Sequence, residues 1–352
     1  MNPAEAVLPV IIRTQADEAA IAAYVRAHPD GTPFHLPAWL NGVAKGTGQR
    51  AHWIVAERGG RVAGVLPLTA VKSLLFGKAL VSSGFAVGGG VLADDGAATD
   101  ALVQAGWALA ETLGCPSLEL RGGPLPEGDG WTHKLESYAG FVRPIEQDDD
   151  AQLKAIPRKQ RAEVRKAFDA RMTVTVGSGA EDRRAHYAVY AESVRNLGTP
   201  VFPQKLFASV LDAFGEDADI LTVRHEGRPV ASVLSLYHNG TVMPYWGGGT
   251  FEARKLRANE FMYFSLMRHA RERGCTTFDF GRSKPETGAF AYKKNWGFEP
   301  QPLGYAIRTA DGVGPREVNP LNPKYQAKIR MWQKLPLWLA NRLGPPIARG
   351  LG

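Results

Sequence analysis

The run Phe278-Asp-Phe-Gly-Arg-Ser-Lys, followed shortly by Tyr292-Lys-Lys-Asn-Trp-Gly, places an acid and several cations directly behind a hydrophobic strand. A strand fixes position and the loop after it supplies reactive groups, so an α/β protein tends to build its site at such a point. Asp279 can accept a proton or orient an amine. Arg282 with Lys284 can hold a phosphate or carboxylate, and Lys293 or Lys294 can stabilise an oxyanion or a pyrophosphate. A local cap for Asp279 and plain solvation for the lysines are the competing readings.

Upstream, Pro244-Tyr-Trp-Gly-Gly-Gly-Thr offers a second feature. Gly247 and Gly248 can let an amide or thioester approach the backbone closely, with Tyr245 and Trp246 as one wall of the pocket. The same glycines can also mark no more than a bulge or turn. Asn259 can bond a substrate amide, and Trp296, beside Lys293, is counted among the pocket candidates. In Ile156-Pro-Arg-Lys-Gln-Arg-Ala-Glu-Val-Arg, helical spacing puts Arg158, Arg161 and Arg165 on one face. Such guanidiniums can clamp a pyrophosphate or a nucleic-acid backbone, although a charge run is often only a solvated face. Arg195 is a further pocket candidate.

Several chemistries are excluded. The Asp-Phe-Gly triad lacks the glycine loop, lysine strand and His-Arg-Asp loop of a kinase. There is no Walker loop, His-x-x-x-His zinc spacing or Gly-x-Ser-x-Gly elbow. Cys115 and Cys275 are too few for a disulfide scaffold or a cysteine-based zinc cluster, and their matching places before strands mark them as packing residues.

The elements that must position these groups become visible when the two halves are superposed. His52–Leu68 and Asp219–Leu236 each read as two strands around a glycine turn. Glycine triplets follow at Gly88–Gly90 and Gly247–Gly249, then a helix ending in Leu113-Gly-Cys or Arg273-Gly-Cys, then a strand at Ser117–Leu120 or Thr277–Phe280. The offset of about 160 residues suits a duplicated domain rather than a solenoid. Each half reads as a hairpin, a further strand, a helix and a last strand, giving an α/β or α+β sheet covered by helices. Leu256, Met262, Leu266 and Ala270 set one helix at roughly 252–272, with Gly274 as terminator. Polar breaks at Glu146–Asp150 and Thr309–Pro315 divide the chain into domains 1–145 and 146–310, the second carrying the site, and a tail 311–352.

Composition sets the outer bounds. The chain has 352 residues, 44% hydrophobic and 22% charged, which is globular rather than disordered or collagen-like. Forty-two Lys plus Arg against 35 Asp plus Glu leave +7, which favours an anionic partner without establishing nucleic-acid binding.

In their order, and on top of the duplication, certain segments resemble the FemAB/FemX-like transferases of the GNAT superfamily. These are Pro157 through Arg165, Asn196-Leu-Gly-Thr-Pro, Trp246-Gly-Gly-Gly, Asn259, Phe278-Asp-Phe-Gly-Arg-Ser and Tyr292-Lys-Lys-Asn-Trp-Gly. The resemblance covers residues 50–310 and is to the branch associated with exosortase (PEP-CTERM) and exopolysaccharide systems. It implies tandem GNAT-like acyl-CoA N-acyltransferase domains with mixed sheets flanked by helices. It implies transfer of an activated acyl or aminoacyl group to an amine of a cell-envelope or exopolysaccharide precursor. Better-known relatives use aminoacyl-tRNA and a peptidoglycan precursor. The donor substrate here is then aminoacyl-tRNA or acyl-CoA, with no permanently bound cofactor and no metal. The acceptor is a lipid- or nucleotide-linked saccharide or peptide. Lys293 looks like the lysine of the family's Phe-Lys-x-x-Phe-Gly motif, which is associated with the precursor's phosphate, with Tyr292 and Trp296 standing where phenylalanines are usual. The alternatives are an acyl-CoA-dependent amino-sugar N-acyltransferase, and a non-enzymatic adaptor for anionic membranes or nucleic acid on the same fold.

The tail mixes Trp332, Leu335, Trp338, Leu339 and Leu343 with Lys328, Arg330, Lys334 and Arg342. That mixture suits an anionic membrane surface. Pro336, Pro345 and Pro346 should interrupt a long helix, so the expectation is a tail folded back over the first domain. The N-terminus lacks the basic lead of a signal peptide, and no window reaches 18 consecutive apolar residues. The expected location is cytoplasmic, with peripheral contact at the inner face of the membrane.

Overall fold

A computed structural model describes residues 8–15, 17–73, 76–314 and 323–351; the start of the N-terminal run and the end of the break at Pro315 lie outside the described residues. The chain begins with β1 (Ile11–Arg13), α1 (Glu18–Ala27), α2 (Pro37–Thr47), β2 (Arg50–Arg58), β3 (Arg61–Ser73), β4 (Gly77–Ser82) and β5 (Leu92–Ala93). Then come α3 (Gly96–Thr112), β6 (Ser117–Arg121) and β7 (Trp131–Lys134). The next group is β8 (Ala139–Pro144), α4 (Asp149–Ala155), α5 (Arg158–Phe168), β9 (Thr173–Gly177), α6 (Ala180–Leu197) and α7 (Gln204–Phe214). It is followed by β10 (Ala218–His225), β11 (Arg228–His238), β12 (Thr241–Gly249), α8 (Phe251–Leu256), α9 (Ala258–Glu272), β13 (Thr277–Asp279), α10 (Gly288–Asn295) and β14 (Pro300–Pro302). The chain closes with β15 (Tyr305–Thr309), α11 (Pro323–Gln333) and α12 (Leu337–Ala348).

Two mixed sheets result. One has the order β1-β2-β3-β4-β6-β15-β7 with β5 beside β3, and the other β14-β8-β13-β12-β11-β10-β9. The duplication is visible in the ladders. Hairpins β2–β3 and β10–β11 are each extended by an antiparallel third strand, β4 or β12. A helix then carries the chain to a parallel fourth strand, pairing Leu80 with Leu118 in one half and Thr241 with Thr277 in the other. The crossover helices end alike: Gly114 and Gly274 adopt positive φ, and the Cys115 and Cys275 N–H groups reach back to Ala110 and Ala270. That is the left-handed glycine stop, which satisfies carbonyls the helix would otherwise leave open. Both cysteines are buried.

The unit boundaries differ from the polar breaks. The first unit ends at Leu135 and is rejoined by the segment from Gly304, while Glu136–Leu303 form the second together with the tail helices. The reason is pairing: β8 hydrogen-bonds to β13 and β14, and β15 to β6 and β7. The polar segment at Glu146–Asp150 instead starts α4, whose N-cap Asp148 accepts the Ala151 N–H at 2.7 Å.

In the second unit, β10 and β11 are buried on both faces, which is why they read as apolar runs with small hydroxyls rather than as an alternation. The core beneath α9 and α10 holds Phe141, Phe278, Trp296 and Phe298. At full burial each contributes roughly 2–3 kcal/mol. The helix expected at 252–272 is broken: Arg257 takes φ 55° between α8 and α9, and its guanidinium pairs with Glu163 on α5.

The tail helices α11 and α12 belong to the second unit, where the expectation had set them over the first domain. The Arg195 guanidinium on α6 donates to the Gln333 carbonyl at the end of α11, and Gln333 Nε2 donates to the Asn196 carbonyl. Ala340, Gly344 and Ala348 form a buried small-residue stripe, and a Cβ on Gly344 would stand 2.9 Å from Val201 N. Pro336 separates the two tail helices, as its missing N–H and fixed φ require. Pro345 and Pro346 do not end α12, which continues to Ala348.

Candidate active site

Asp279 is the last residue of β13, and the β12–β13 ladder has only the rungs Thr241–Thr277 and Val242–Phe278, although β12 runs on to Gly249. The acid therefore stands where the sheet stops being continuous. Its Oδ1 accepts the Gly281 N–H at 2.8 Å, so the local cap expected as a competing reading is present. The Lys293 ammonium donates to the carbonyls of Gly281 at 3.1 Å and Arg282 at 2.9 Å. Ser283 closes the loop by pairing with Ala139, and Thr287 caps α10 through the Phe290 N–H. The loop is thus held at both ends and in the middle.

Lys293 is buried, with its charge over the rings of Phe141 (5.2 Å) and Phe280 (5.5 Å). Burial pushes it down to about 8, against the pull of Asp279 and with the help of Arg282. Burial also raises Asp279, against the Gly281 N–H and the Lys293 charge. Both groups move toward neutrality, the direction that makes an acid and a base usable near physiological pH. An ammonium has three N–H donors and two are committed to the loop, which leaves one.

Other expected residues fall into place less directly. Arg282 and Lys284 both lie against the Tyr138 ring, 4.4 and 5.5 Å from its centre, so the two cations are gathered at one side chain. Tyr245 is half-buried against Trp246. Trp246 itself packs edge-on to Phe207 at 5.0 Å and is buried, and Trp296 is fully buried. Both tryptophans are core, because the strand or helix turns that side inward. Gly247 and Gly248 are extended rather than in a turn. A Cβ on Gly247 would come within 2.9 Å of Val233 Cγ2, and one on Gly248 within 2.6 Å of Ser193 Cβ, so close packing demands both glycines. Asn259 faces Gly249, where an added Cβ would lie 2.7 Å from its Oδ1, and that oxygen is buried without a hydrogen-bond partner. Arg158 and Arg165 are exposed on α5, but Arg161 turns back to the carbonyls of Lys154 and Ile156 and closes the end of α4. Three guanidiniums on one face therefore reduce to two. Arg195 serves the tail and not a pocket.

Sequence reasoning missed the partners of these groups. Tyr138 and Phe141, on and beside β8, hold the cations of a loop some 140 residues later, a placement no local pattern gives. Glu260 was likewise unassigned. Its carboxylate raises Tyr263 and Tyr292, second to burial in each case, and it accepts a long hydrogen bond from Gln160.

Comparison with known proteins agrees with this architecture. Residues 157–294 match the family model described as an acetyltransferase (GNAT) domain. A lipid II:glycine glycyltransferase of Staphylococcus aureus is 21% identical over 374 aligned positions, covering 78% of this chain and 87% of the relative. That of Staphylococcus saprophyticus is 22% identical over 222, covering 59% of this chain and 51% of its own length, so the matched stretch spans about half of that relative. Among solved structures, FemX superposes with a TM-score of 0.69 at 18% identity, covering 90% of this chain and 99% of that one. A tandem GNAT protein from clavulanic acid biosynthesis gives 0.52 at 16% identity, covering 88% and 100%.

Proposed function

Residues 157–294 form a GNAT acetyltransferase domain, and from that premise we propose that the chain is a FemAB-like acyltransferase that moves an activated acyl or aminoacyl group onto an amine of a lipid-linked envelope precursor. The observation that carries the reading is the place of Asp279, at the strand end where the β12–β13 ladder stops, on a loop tied down by Lys293. The reaction needs little more. An ester or thioester donor is already activated, so the protein has to align a neutral amine and stabilise the charge that develops on the carbonyl oxygen.

In this reading the acceptor nitrogen attacks the donor carbonyl carbon and the C–N bond forms. The C–O or C–S bond to the carrier breaks; the proton lost by the amine passes to Asp279 directly or through one water and is then returned to the departing oxygen or sulfur, which restores the carboxylate. Its remaining oxygen is the acceptor, since Oδ1 is engaged by Gly281. Lys293 acts chiefly as a positioning residue, because two of its donors hold the loop that carries the acid. Arg282 and Lys284, gathered over Tyr138, take the phosphate of the donor carrier or of the acceptor. The staphylococcal relatives named for lipid II point to a lipid-linked saccharide-peptide as acceptor. The tail exposes Met331, Trp338 and Leu343 among Lys334 and Arg342, a composition suited to the anionic surface from which such an acceptor would be presented. No helix among the described residues is long and apolar enough to cross a membrane.

The test is a transfer assay with radiolabelled aminoacyl-tRNA and, separately, radiolabelled acyl-CoA, each offered a lipid-linked disaccharide-peptide and an amino-sugar nucleotide. Label should move to one acceptor from one donor and be lost in Asp279→Asn. Transfer undiminished in that folded variant would overturn the assignment.

A further inference from the structure

On the other side of the second unit's sheet from α9, helices α6 and α7 enclose a cavity of about 270 Å³ over β10. That is the space of roughly nine waters at about 30 Å³ each. Its floor is apolar, made by Phe207, Leu211 and Ile220. None of these residues belongs to the transfer site described above.

The wall carries one unusual group. The ring of His186 is 1% exposed; its Nδ1 lies 3.1 Å from Ser232 Oγ, which in turn lies 3.0 Å from Thr222 Oγ1, while Nε2 is buried with no hydrogen-bond partner. Stacking on Tyr190 and the edge of Phe207 fix the ring's plane. Burial lowers this histidine to about 3, so it is neutral at physiological pH. A neutral imidazole with one nitrogen engaged has one valence left, and its sense depends on which way the serine hydroxyl turns. If Ser232 donates, Nε2 carries a proton; if Ser232 accepts, Nε2 is bare. A hydroxyl satisfies either case, whereas a group that only donates or only accepts satisfies one. Buried polar atoms are rarely left without a partner, which makes this one a pointer to a ligand atom.

The mouth carries a net positive charge. Arg183 is neutralised there by Asp212 at 2.7 Å and also donates to the Ser178 carbonyl, which leaves the charge of Lys205. Lys205 sits in the first turn of α7, and that helix, started by Pro203, has no side-chain cap. The open N–H groups and dipole of the turn add to the lysine's attraction for an anion. An apolar floor, a neutral polar wall and a cationic mouth together define an amphipathic ligand.

We propose that the α6–α7 cavity binds a small carboxylate with an aromatic or aliphatic body and a hydroxyl at its far end. The carboxylate meets Lys205 at the mouth, the body lies on Phe207 and Leu211, and the hydroxyl bonds His186. The proposal does not depend on the transfer reaction.

The probe is 4-hydroxybenzoate, titrated calorimetrically into the full chain at physiological ionic strength, with benzoate and phenol as comparators. Saturable binding is expected, with each comparator at least tenfold weaker. Lys205→Glu, at an exposed rim position, should weaken 4-hydroxybenzoate at least tenfold and leave phenol unchanged. Ala208→Trp should fill the space and abolish both. Absence of saturable heat at millimolar probe would overturn the proposal. So would equal affinity for benzoate, or binding retained in Ala208→Trp that melts like the parent. Should the tryptophan variant fail to fold, Lys205→Glu decides, since equal loss for the carboxylate and for phenol would also overturn it.

Discussion

Lys293 Nζ donates at 3.1 Å to the carbonyl of Gly281, the same residue whose N–H donates at 2.8 Å to Asp279 Oδ1. One peptide unit of separation thus links a buried ammonium to the acid at the end of β13. Lys293→Met would keep the aliphatic stem between Phe141 and Phe280 while removing both donors and the charge. Without that charge Asp279 rises further, since the ammonium now holds it down. The expected outcome is a loss in kcat of at least about tenfold with the acidic limb of the pH–rate profile moved upward. A merely structural lysine would change the melting temperature without moving that limb.

The same lysine makes stability depend on pH. Its folded value is pushed down to about 8 from 10.5, so between those values the unfolded chain binds more protons than the folded one. Stability therefore rises with pH across that window. Compared with Lys293→Met, the parent should gain between pH 8 and pH 10 in urea unfolding. A constant difference between the two proteins over that range would show the ammonium to be less desolvated than its surroundings imply.

Asp279→Asn separates the acid's cap from its chemistry. The asparagine carbonyl can still accept from the Gly281 N–H, so stability should stay within about 1 kcal/mol of the parent. Proton transfer from the amine is lost, which should lower turnover by roughly 10²- to 10⁴-fold. Unfolding curves and transfer rates measured on the same preparation test both halves. Equal turnover would leave Asp279 as a turn residue.

Much of the fold was legible because it is periodic and repeated. The hairpins, crossover helices and paired Gly-Cys stops recur in both halves, and Met262, Leu266 and Ala270 do face the core on α9. What could not be read were choices made by distant partners. Arg161 looks like one of three exposed cations until the carbonyls of α4 end beside it, and Arg195 resembles a pocket residue until α11 ends on it. Trp246 and Trp296 share their chemistry with binding aromatics, and only the packing of α7 and α10 turns them inward. Within the site, the order Asp279, Arg282, Lys284, Lys293 was visible as one loop and helix, but Phe141 on β8 and Tyr138 just before it come from the far side of the polar break.

The glycines of β12 yield a prediction about packing rather than catalysis. Gly248→Ala would set a methyl 2.6 Å from Ser193 Cβ and 2.2 Å from its Oγ, against a helix held over the sheet. Overpacking of that kind costs about 1–3 kcal/mol. Adding Ser193→Gly removes both clashing atoms, so the double variant should recover part of the loss, less the glycine's own helix penalty of about 1 kcal/mol. A double-mutant cycle by chemical denaturation measures it, and strict additivity would mean that β12 and α6 do not meet as closely as described.

The tail's attachment predicts a change confined to one end of the chain. Arg195 crosses from α6 to the Gln333 carbonyl, where α11 would otherwise leave its last acceptors open, and Gln333 returns a bond to Asn196. Arg195→Met keeps the stem's packing and removes the donor. Trypsin should then cut faster at Lys328, Arg330 and Lys334, while the main melting transition of the second unit moves little, since its core is untouched. Flotation with vesicles containing anionic lipid adds the functional half. Trp338 is 69% exposed and Leu343 44% on α12, so Trp338→Glu should reduce vesicle binding at least tenfold without loosening the tail. Unchanged flotation in that variant would assign the exposed face to something other than a membrane, and unchanged cleavage in Arg195→Met would place the tail's hold in the Ala340–Gly344–Ala348 stripe and the Gln333–Asn196 bond.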